Sequence, residues 1–473
     1  MSISRVGRLA GIDLEVLFSN IIERALVRSF FALKDRGLFA SIAAEAAPYY
    51  YSGDKFPHLS HYSFRYPAKF HPPVAAQLIR DFTEPGELVL DPFCGSGTLN
   101  IEAAALGRRS FGTDIDPLAV FVASAKTVRI SEKIANRHFV QIYKSLSSIP
   151  SWAGRIGHGA PLNDHSLRQH ANENGLFIPH IPRLTHWYQP YAALDLAKIR
   201  KFIEAYGCCV SFKKILWLTF ASVVRSSSNA DPTPVSGLEV TKIMREKISR
   251  GFAPDVFSIF LKNLEKNITR AKDYSKATTH SSQPVFSAAD VTKLTELPPG
   301  PFDAVITSPP YHSAVDYYRR HTLEMYWLDL TTTHEERLAL KPLYLGQGKV
   351  AKSNALFDRN ELRGQYAKNK YSEILQVSDE RARAFKHYAL GIQLAIENID
   401  HLLAHQGRAV FVVGDSVWQG KLLSTVALIQ ESAEPYLRLG KTFCYSLKNR
   451  YMSYARRNGA DIKTEYVLEL IKK

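Results

Sequence analysis

The chain has 473 residues, of which 45% are hydrophobic, and a formal net charge of +15. This hydrophobic share excludes a disordered protein, and the length suffices for one large core with an insertion or second domain. The positive charge indicates a polyanionic partner, because neutralising phosphates releases their counterions. The four cysteines lack metal-ligand spacing, so no metal site is expected. With no apolar stretch of about 20 residues and no signal-peptide pattern, we predict a cytoplasmic protein without a membrane span.

Apolar residues at helical spacing predict an N-terminal helical segment over residues 1–60. A polar and aromatic stretch follows at residues 61–72 and contains Tyr66, Lys69 and Phe70. The proline pair at 72–73 then predicts the start of a helix that continues to Phe82.

A strand, a Gly-x-Gly turn and a helix are predicted between residues 88 and 106. The glycines, Gly95 and Gly97, let the backbone approach a ligand, and the helix N-terminus favours a carboxylate or phosphate. Asp91 would repel a pyrophosphate but can pair with an ammonium group. Asp114 ends the next predicted strand, near the ~20-residue spacing expected for an acid that binds a ribose diol. The pattern therefore favours a nucleoside that carries an amino acid over a dinucleotide.

The alternation of strands and helices then stops. A third strand is expected within about 30 residues of Asp116, but the best candidate is residues 284–290, which end in Asp290. We interpret residues 131–282 as a mainly helical insertion and a candidate target-recognition region. A helical subdomain that serves only packing is the alternative.

The apolar run 302–306 ends in Thr307, Ser308, Pro309, Pro310 and Tyr311. Each proline fixes φ and lacks an amide donor, so the turn is stiff and its carbonyls remain free to accept hydrogen bonds. A hydroxyl, free carbonyls and an aromatic ring can together hold a flat ring that carries an amino group. A simple turn is the alternative reading.

Basic stretches occupy much of the last third of the chain. A basic insertion is predicted at about 330–400, and residues 435–460 contain six Lys and Arg without an acid. We predict nucleic-acid contacts at Arg319, Arg320, Lys448, Arg450, Arg456 and Arg457. A solvated basic hairpin is the alternative for the second stretch.

These patterns together resemble the S-adenosylmethionine-dependent, amino-methylating DNA methyltransferases. Residues 91–116 are similar to motifs I and II of that family, residues 307–311 to motif IV, and residues 61–72 to motif X, which closes over the methionine end of the cofactor. The resemblance implies an α/β fold with a Rossmann-like class I methyltransferase sheet, helices on both faces and a large, mainly helical insertion. It gives a cofactor-binding half at 61–130 and a catalytic half at 283–473.

The resemblance also implies S-adenosylmethionine as the cofactor. It assigns Asp91 to the ammonium of the methionine moiety, Asp114 to the ribose with Asp116 as the alternate, and Asp290 to the adenine amino group. The implied cofactor-binding set is Tyr66, Lys69, Phe70, Asp91, Phe93, Gly95, Ser96, Gly97, Thr98, Asp114, Asp116 and Asp290. The implied catalytic set is Ser308, Pro309, Pro310 and Tyr311.

The Ser-Pro-Pro-Tyr form of motif IV is typical of enzymes that methylate cytosine at N4. We therefore predict methyl transfer to a flipped-out cytosine in double-stranded DNA, with a restriction endonuclease as a possible partner. The motif order X, I, IV is closer to that of some adenine-N6 enzymes. An adenine-N6 enzyme, an RNA guanine-N2 methyltransferase and an inactive nucleic-acid-binding relative are the alternatives.

Overall fold

The computed structural model describes residues 46–48, 58–67, 69–153, 162–232, 237–312, 315–418, 421–447 and 464–473. Most of the predicted N-terminal helical segment lies outside these residues. Four of the predicted nucleic-acid contacts also lie outside them: Lys448, Arg450, Arg456 and Arg457.

The strands among the described residues form a large sheet and a small hairpin. The sheet strands are β1 (Ala47–Pro48), β2 (Leu88–Asp91), β3 (Arg109–Asp114), β4 (Val285–Ala288), β5 (Phe302–Thr307) and β6 (Leu403–Gly414). The hairpin pairs β7 (Ser416–Trp418) with β8 (Lys421–Leu423), and the sheet is completed by β9 (Leu437–Ser446) and β10 (Thr464–Lys472). The sheet order is β1-β9-β10-β6-β5-β2-β3-β4, and β10 alone runs antiparallel to its neighbours among these strands.

The strands are apolar on both faces because helices cover both. Val89 packs with the helices on one face, whereas the next residue, Leu90, packs on the other. Ala304 and Val305 in β5 alternate in the same way. Such continuous apolar runs are characteristic of buried parallel strands. The predicted α/β class with helices on both faces is therefore confirmed.

The helices of the first half follow the predicted pattern. They are α1 (Pro72–Phe82), α2 (Thr98–Ala105), α3 (Pro117–Lys126), α4 (Glu132–Ser147), α5 (Asp164–Glu173), α6 (Leu184–Trp187), α7 (Pro190–Ala205), α8 (Val210–Val224), α9 (Lys242–Ser249) and α10 (Val256–Ala277). Helices α4 to α10 separate β3 and α3 from β4, as expected for the helical insertion, and most of them share a core of their own.

The helices of the second half lie between β5 and β9. They are α11 (Tyr317–Arg320), α12 (Thr322–Trp327), α13 (His334–Leu340), α14 (Leu356–Arg359), α15 (Gln365–Leu375), α16 (Asp379–Leu402) and α17 (Thr425–Ala433). Short 3-10 turns occur at Leu294–Glu296 and Lys341–Leu343. No helix among the described residues has both the length and the apolar character to cross a membrane.

The strand order places the two principal motifs side by side. Strand β2 pairs with β3 on one side and with β5 on the other, so the chain changes direction along the sheet at β2. Ligands of open α/β sheets bind beyond the carboxyl ends of the strands at this switch point. Asp91 ends β2 and Thr307 ends β5, which brings motifs I and IV to the same edge.

Candidate active site

A cleft that is open to solvent lies at this edge of the sheet. It contains eleven of the twelve predicted cofactor residues and two of the four predicted catalytic residues. The lining residues are Tyr66, Lys69, Phe70, Asp91, Pro92, Phe93, Cys94, Gly95, Ser96, Thr98, Asp114, Ile115, Asp116, Ala289, Asp290, Val291, Ser308, Pro310, Tyr317, Leu343, Tyr344 and Leu345.

The motif I turn depends on two glycines with different tasks. Both have positive φ, 49° at Gly95 and 73° at Gly97, which other L-residues rarely adopt. Gly95 lines the cleft, as predicted. Gly97 does not line it; a Cβ there would lie 2.8 Å from the Cβ of Ala123 in α3. Gly97 therefore permits the close packing of α2 against α3.

Asp91 is 2% exposed and is held by motif IV. Its Oδ1 accepts hydrogen bonds from Thr307 Oγ1 at 2.7 Å and from the Phe93 amide at 3.2 Å. Burial raises the pKa of Asp91 to about 7. The two hydrogen bonds act to lower this pKa, whereas the nearby acid Asp114 acts to raise it. Binding of a cation would favour the ionised form of this carboxyl.

The acids at the end of β3 also face the cleft. Asp114 accepts hydrogen bonds of 2.9 Å from the amides of Gly95 and Asp116, and burial raises its pKa to about 7. Asp116 lines the cleft and at the same time caps α3 through the Leu118 amide. Asp116 therefore caps a helix without leaving the cleft.

Asp290 lies just beyond β4 and lines the cleft. One of its oxygens, Oδ1, accepts from the amide and hydroxyl of Thr292 and thereby closes a turn. Lys293 approaches the other oxygen at 3.7 Å. Asp290 therefore closes a turn and lines the cleft at the same time.

The motif X segment forms a wall of the cleft. The Tyr66 ring stacks on His321 with ring centroids 5.0 Å apart, and it lies against Gly95. Lys69 donates to the His61 carbonyl at 3.3 Å and sits 3.7 Å from the centroid of the Tyr62 ring. Burial lowers the pKa of Lys69 to about 8.

Motif IV contributes to the cleft only in part. Ser308 and Pro310 line it, whereas Pro309 is buried behind it. Tyr311 is not among the lining residues. Its hydroxyl instead donates a hydrogen bond of 2.5 Å to Glu465 at the start of β10.

Several residues of the site were missed in the sequence. Thr307 belongs to motif IV, but its hydrogen bond to Asp91 depends on strand pairing, which the sequence does not reveal. The buried Lys126 donates to the Ser96 carbonyl at 2.7 Å and to its hydroxyl at 3.2 Å, which supports the motif I turn from below. Tyr344, within the predicted basic insertion, and Tyr317, close to the predicted nucleic-acid contacts Arg319 and Arg320, also line the cleft.

The two predicted nucleic-acid contacts that the structure describes differ in exposure. The Arg319 side chain is 51% exposed and lies 3.9 Å from Glu239. Arg320, in contrast, is 3% exposed, because it packs inside the wall formed by α11 and α12. Its guanidinium is therefore not part of an exposed basic surface, which corrects the expectation for this residue.

The donor set of the cleft fits S-adenosylmethionine. Four acids face a ligand whose ammonium and sulfonium are positive, and aromatic rings are available to its adenine. The hydroxyl of Thr98, buried at the start of α2, has no hydrogen-bond partner among the described residues and lines the same cleft. Within the described ranges no group of three or more His, Cys, Asp and Glu side chains could hold a metal ion.

The sheet has the arrangement of a class I methyltransferase, and the cleft at its carboxyl edge fits S-adenosylmethionine as the cofactor. Residues 46–124 match the DNA methylase family of N6 and N4 methyltransferases. The match and the relatives below support a DNA methyltransferase that modifies an amino group.

Two curated relatives are Type II methyltransferases. M.MvaI of Kocuria varians is 25% identical over 399 residues, which cover 80% of this chain and 82% of that protein. M.BsoBI of Geobacillus stearothermophilus is 24% identical over 273 residues, which cover 57% of this chain and 52% of that protein. Among solved structures, the rRNA methyltransferase aviRa from Streptomyces viridochromogenes is 10% identical with a TM-score of 0.31, covering 92% of this chain and 93% of that one.

Proposed function

We propose that the protein is a site-specific DNA methyltransferase that transfers a methyl group from S-adenosylmethionine to the exocyclic N4 amino group of a flipped-out cytosine. The observation that carries this proposal is the position of Ser308. Its side chain lines the same cleft as Asp91 and Asp114, so an acceptor for an amino group and the acids for a cofactor share one cavity.

The chain's own residues supply positioning and hydrogen-bond acceptors. When bound, S-adenosylmethionine supplies an electrophilic methyl group on a sulfonium. An exocyclic amino group is a weak nucleophile because its lone pair is delocalised into the ring. The Ser308 hydroxyl and the free carbonyls of the Pro-Pro turn can accept its hydrogens and hold the nitrogen toward the cofactor side of the cleft.

The substrate base must leave its duplex to reach such a cleft, at a cost of a few kcal/mol. The two relatives described above are Type II methyltransferases, which favours DNA as the partner of this chain. The net charge of +15 is consistent with a polyanionic substrate.

Two exposed arginines tie the insertion to the cleft wall. Arg65, next to Tyr66, donates to the Pro232 carbonyl at 2.9 Å, and Arg319, two residues beyond Tyr317, approaches the Leu238 carbonyl at 3.5 Å. The insertion therefore lies beside the cleft through these contacts. This position supports its proposed role in target recognition.

The decisive experiment is incubation with methyl-labelled cofactor and, separately, DNA or RNA, followed by mass analysis of the nucleosides. We expect N4-methylcytosine in DNA. N6-methyladenine in DNA would instead establish the adenine alternative, and N2-methylguanosine in RNA would overturn the DNA assignment. No methylated nucleoside together with retained cofactor binding would favour the inactive relative.

The Ser308→Ala variant tests the assigned pocket in the same assay. We expect a loss of at least about tenfold in methyl transfer, because the hydroxyl is proposed to hold the reacting nitrogen. Ser110→Ala is the matched control, since its buried hydroxyl in β3 has no partner among the described residues. Full activity of Ser308→Ala would show that the pocket is wrongly assigned.

A further inference from the structure

A carboxylate on the antiparallel strand holds the aromatic residue of motif IV. Glu465 lies at the start of β10, where it is aligned with Gly414 at the carboxyl end of β6. Its Oε1 accepts the Tyr311 hydroxyl at 2.5 Å, and its Oε2 accepts the hydroxyl of Tyr445, its cross-strand partner on β9. Both oxygens are thus engaged by phenols.

Tyr311 is fixed at its backbone as well as at its hydroxyl. Gly346 has a φ of +79°, and a Cβ there would lie 2.8 Å from the Tyr311 carbonyl oxygen. The neighbouring Leu345 lines the cleft, so the segment that packs on Tyr311 also forms a wall of the site. Tyr311 is therefore held by a close contact at its backbone carbonyl and by a carboxylate at its hydroxyl.

The hydrogen bond also explains the orientation of the ring. Tyr311 does not line the cleft although Ser308 and Pro310 of the same motif do. An aromatic side chain that is anchored through its hydroxyl presents its face in one orientation, whereas an unanchored ring at this position samples several rotamers. Fixing a group before the substrate arrives removes an entropic cost from the bound state.

We propose that Glu465 is a positioning residue for the target base: by accepting the Tyr311 hydroxyl, it presets the orientation of the Tyr311 ring beside Ser308. This inference rests on the proposed function, since Ser308, which lies beside the held Tyr311 and lines the cleft, is the residue proposed to meet the base. Glu465 acts through Tyr311 and not on the reacting atoms.

The test is a double-mutant cycle in steady-state methyl transfer to DNA. Glu465→Ala and Tyr311→Phe both remove the hydrogen bond between these two side chains, so we expect each to lower kcat by a factor of about 10 to 100. The double variant should be no worse than either single one, because residues that act through one contact are not additive. The affinity for S-adenosylhomocysteine should stay unchanged, and Glu465→Gln should restore part of the activity because its amide oxygen still accepts the phenol.

Two control variants separate positioning from a general loss of structure. Tyr445→Phe removes the other hydroxyl that is bonded to Glu465 and leaves the bond from Tyr311 in place. The kcat of this variant should therefore remain within about threefold of wild type. Glu469→Gln alters a buried acid four residues further along β10, which pairs with Arg408 at 3.2 Å. It should lower Tm and leave kcat unchanged.

The outcomes distinguish this inference from the proposed function. Absence of amino-methylated nucleoside from the wild-type reaction overturns the proposed function and the inference with it. An active wild type with additive effects of the two single variants, or with full activity of Glu465→Ala and Glu465→Gln, overturns the positioning role alone. Should Glu465→Ala fail to fold, Tyr311→Phe and Glu465→Gln still decide. A loss of kcat in Tyr311→Phe with a smaller loss in Glu465→Gln is required, and full activity of both overturns the positioning role.

Discussion

The hydroxyl of Thr307 donates a 2.7 Å hydrogen bond to Oδ1 of Asp91, although the two residues are 216 positions apart in the chain. Thr307 ends β5 and Asp91 ends β2, and these strands are parallel neighbours in the sheet. The contact joins the acceptor motif directly to the acid expected to bind the cofactor ammonium. The two sides of the cleft are therefore linked by a buried side-chain hydrogen bond.

Thr307→Val should weaken the cofactor site without changing the shape of the side chain. The buried Asp91 carboxyl loses a donor, at a cost of about 1–3 kcal/mol in the free energy of unfolding. Its pKa should rise further, because that hydrogen bond lowers it. Chemical denaturation would measure the loss of stability. Calorimetric titration with S-adenosylhomocysteine would measure the weakening of the cofactor site.

Thr113→Val is the matched control for this substitution. The Thr113 hydroxyl is equally buried in β3 but has no hydrogen-bond partner among the described residues. Its removal should leave stability unchanged or slightly increased. Equal destabilisation by both variants would contradict the role given to the Thr307–Asp91 bond.

Cofactor affinity should increase between about pH 6 and pH 8. Burial raises the pKa of both Asp91 and Asp114 to about 7 in the free protein, so each carboxyl is mainly protonated below that pH. A cationic ligand requires the ionised form, and its binding becomes tighter as the pH rises through 7. Titration calorimetry across this range should show the trend for the wild type and a flatter profile for Asp91→Asn.

The same two acids should lower the stability of the cofactor-free protein as the pH rises. Their pKa is raised from 3.8 in the reference state to about 7 in the fold. Their contribution to stability is therefore fully present below about pH 4 and is lost as the pH rises through 7. A Tm for Asp91→Asn that varies with pH as steeply as that of the wild type would speak against this assignment.

Gly97→Ala should destabilise the protein by about 2–4 kcal/mol and abolish tight cofactor binding. The substitution combines a left-handed backbone with a Cβ only 2.8 Å from that of Ala123. Gly107→Ala provides the comparison, since it has a similar φ of +78° with open space around it. It should cost about 1–2 kcal/mol in unfolding free energy and spare cofactor binding. Equal losses for both variants would exclude the packing of α2 on α3 as the cause.

A buried pair outside the cleft connects motif X to α2. Glu102 is hydrogen-bonded to His61; burial raises the pKa of Glu102 to about 8 and lowers that of His61 well below its usual range. Both shifts favour uncharged side chains at pH 7, an arrangement in which the carboxylic acid donates to the ring. Glu102→Gln keeps a donor and should be nearly neutral, whereas Glu102→Ala should cost about 2–4 kcal/mol in unfolding free energy.

The pH dependence provides a second readout for this pair. Since the pKa of Glu102 is raised, its contribution to stability should be lost as the pH rises through about 8. Glu102→Gln should remove that loss, which Tm values between pH 6 and pH 9 would reveal. Identical pH profiles for the variant and the wild type would contradict a neutral buried pair.

Local patterns in the sequence were sufficient to predict the first elements of the sheet. Pro72 and Pro117 mark the starts of α1 and α3, and both helices begin there. The apolar run before Asp91 forms β2, and the helical insertion follows α3 as expected. These features depend on proline geometry and on apolar spacing within short segments, which neighbouring residues determine.

Other features depend on residues that meet only in the folded chain. Tyr344 reaches the cleft from within the predicted basic insertion. Arg320 is buried although its neighbour Arg319 is exposed. Which side of a short helix faces inward depends on the element that packs against it. No periodic pattern of four residues can reveal this.

The sequence by itself determined the chemistry available to this protein: a Gly-x-Gly turn flanked by acids, and a stiff Ser-Pro-Pro-Tyr turn after a strand. The tertiary structure alone decided how these parts meet. Pairing of β2 with β5 places Thr307 against Asp91, and the antiparallel β10 brings Glu465 to Tyr311. The physical reason is that strand pairing joins segments far apart in the chain, and hydrogen bonds across those pairs leave no local signature in the sequence.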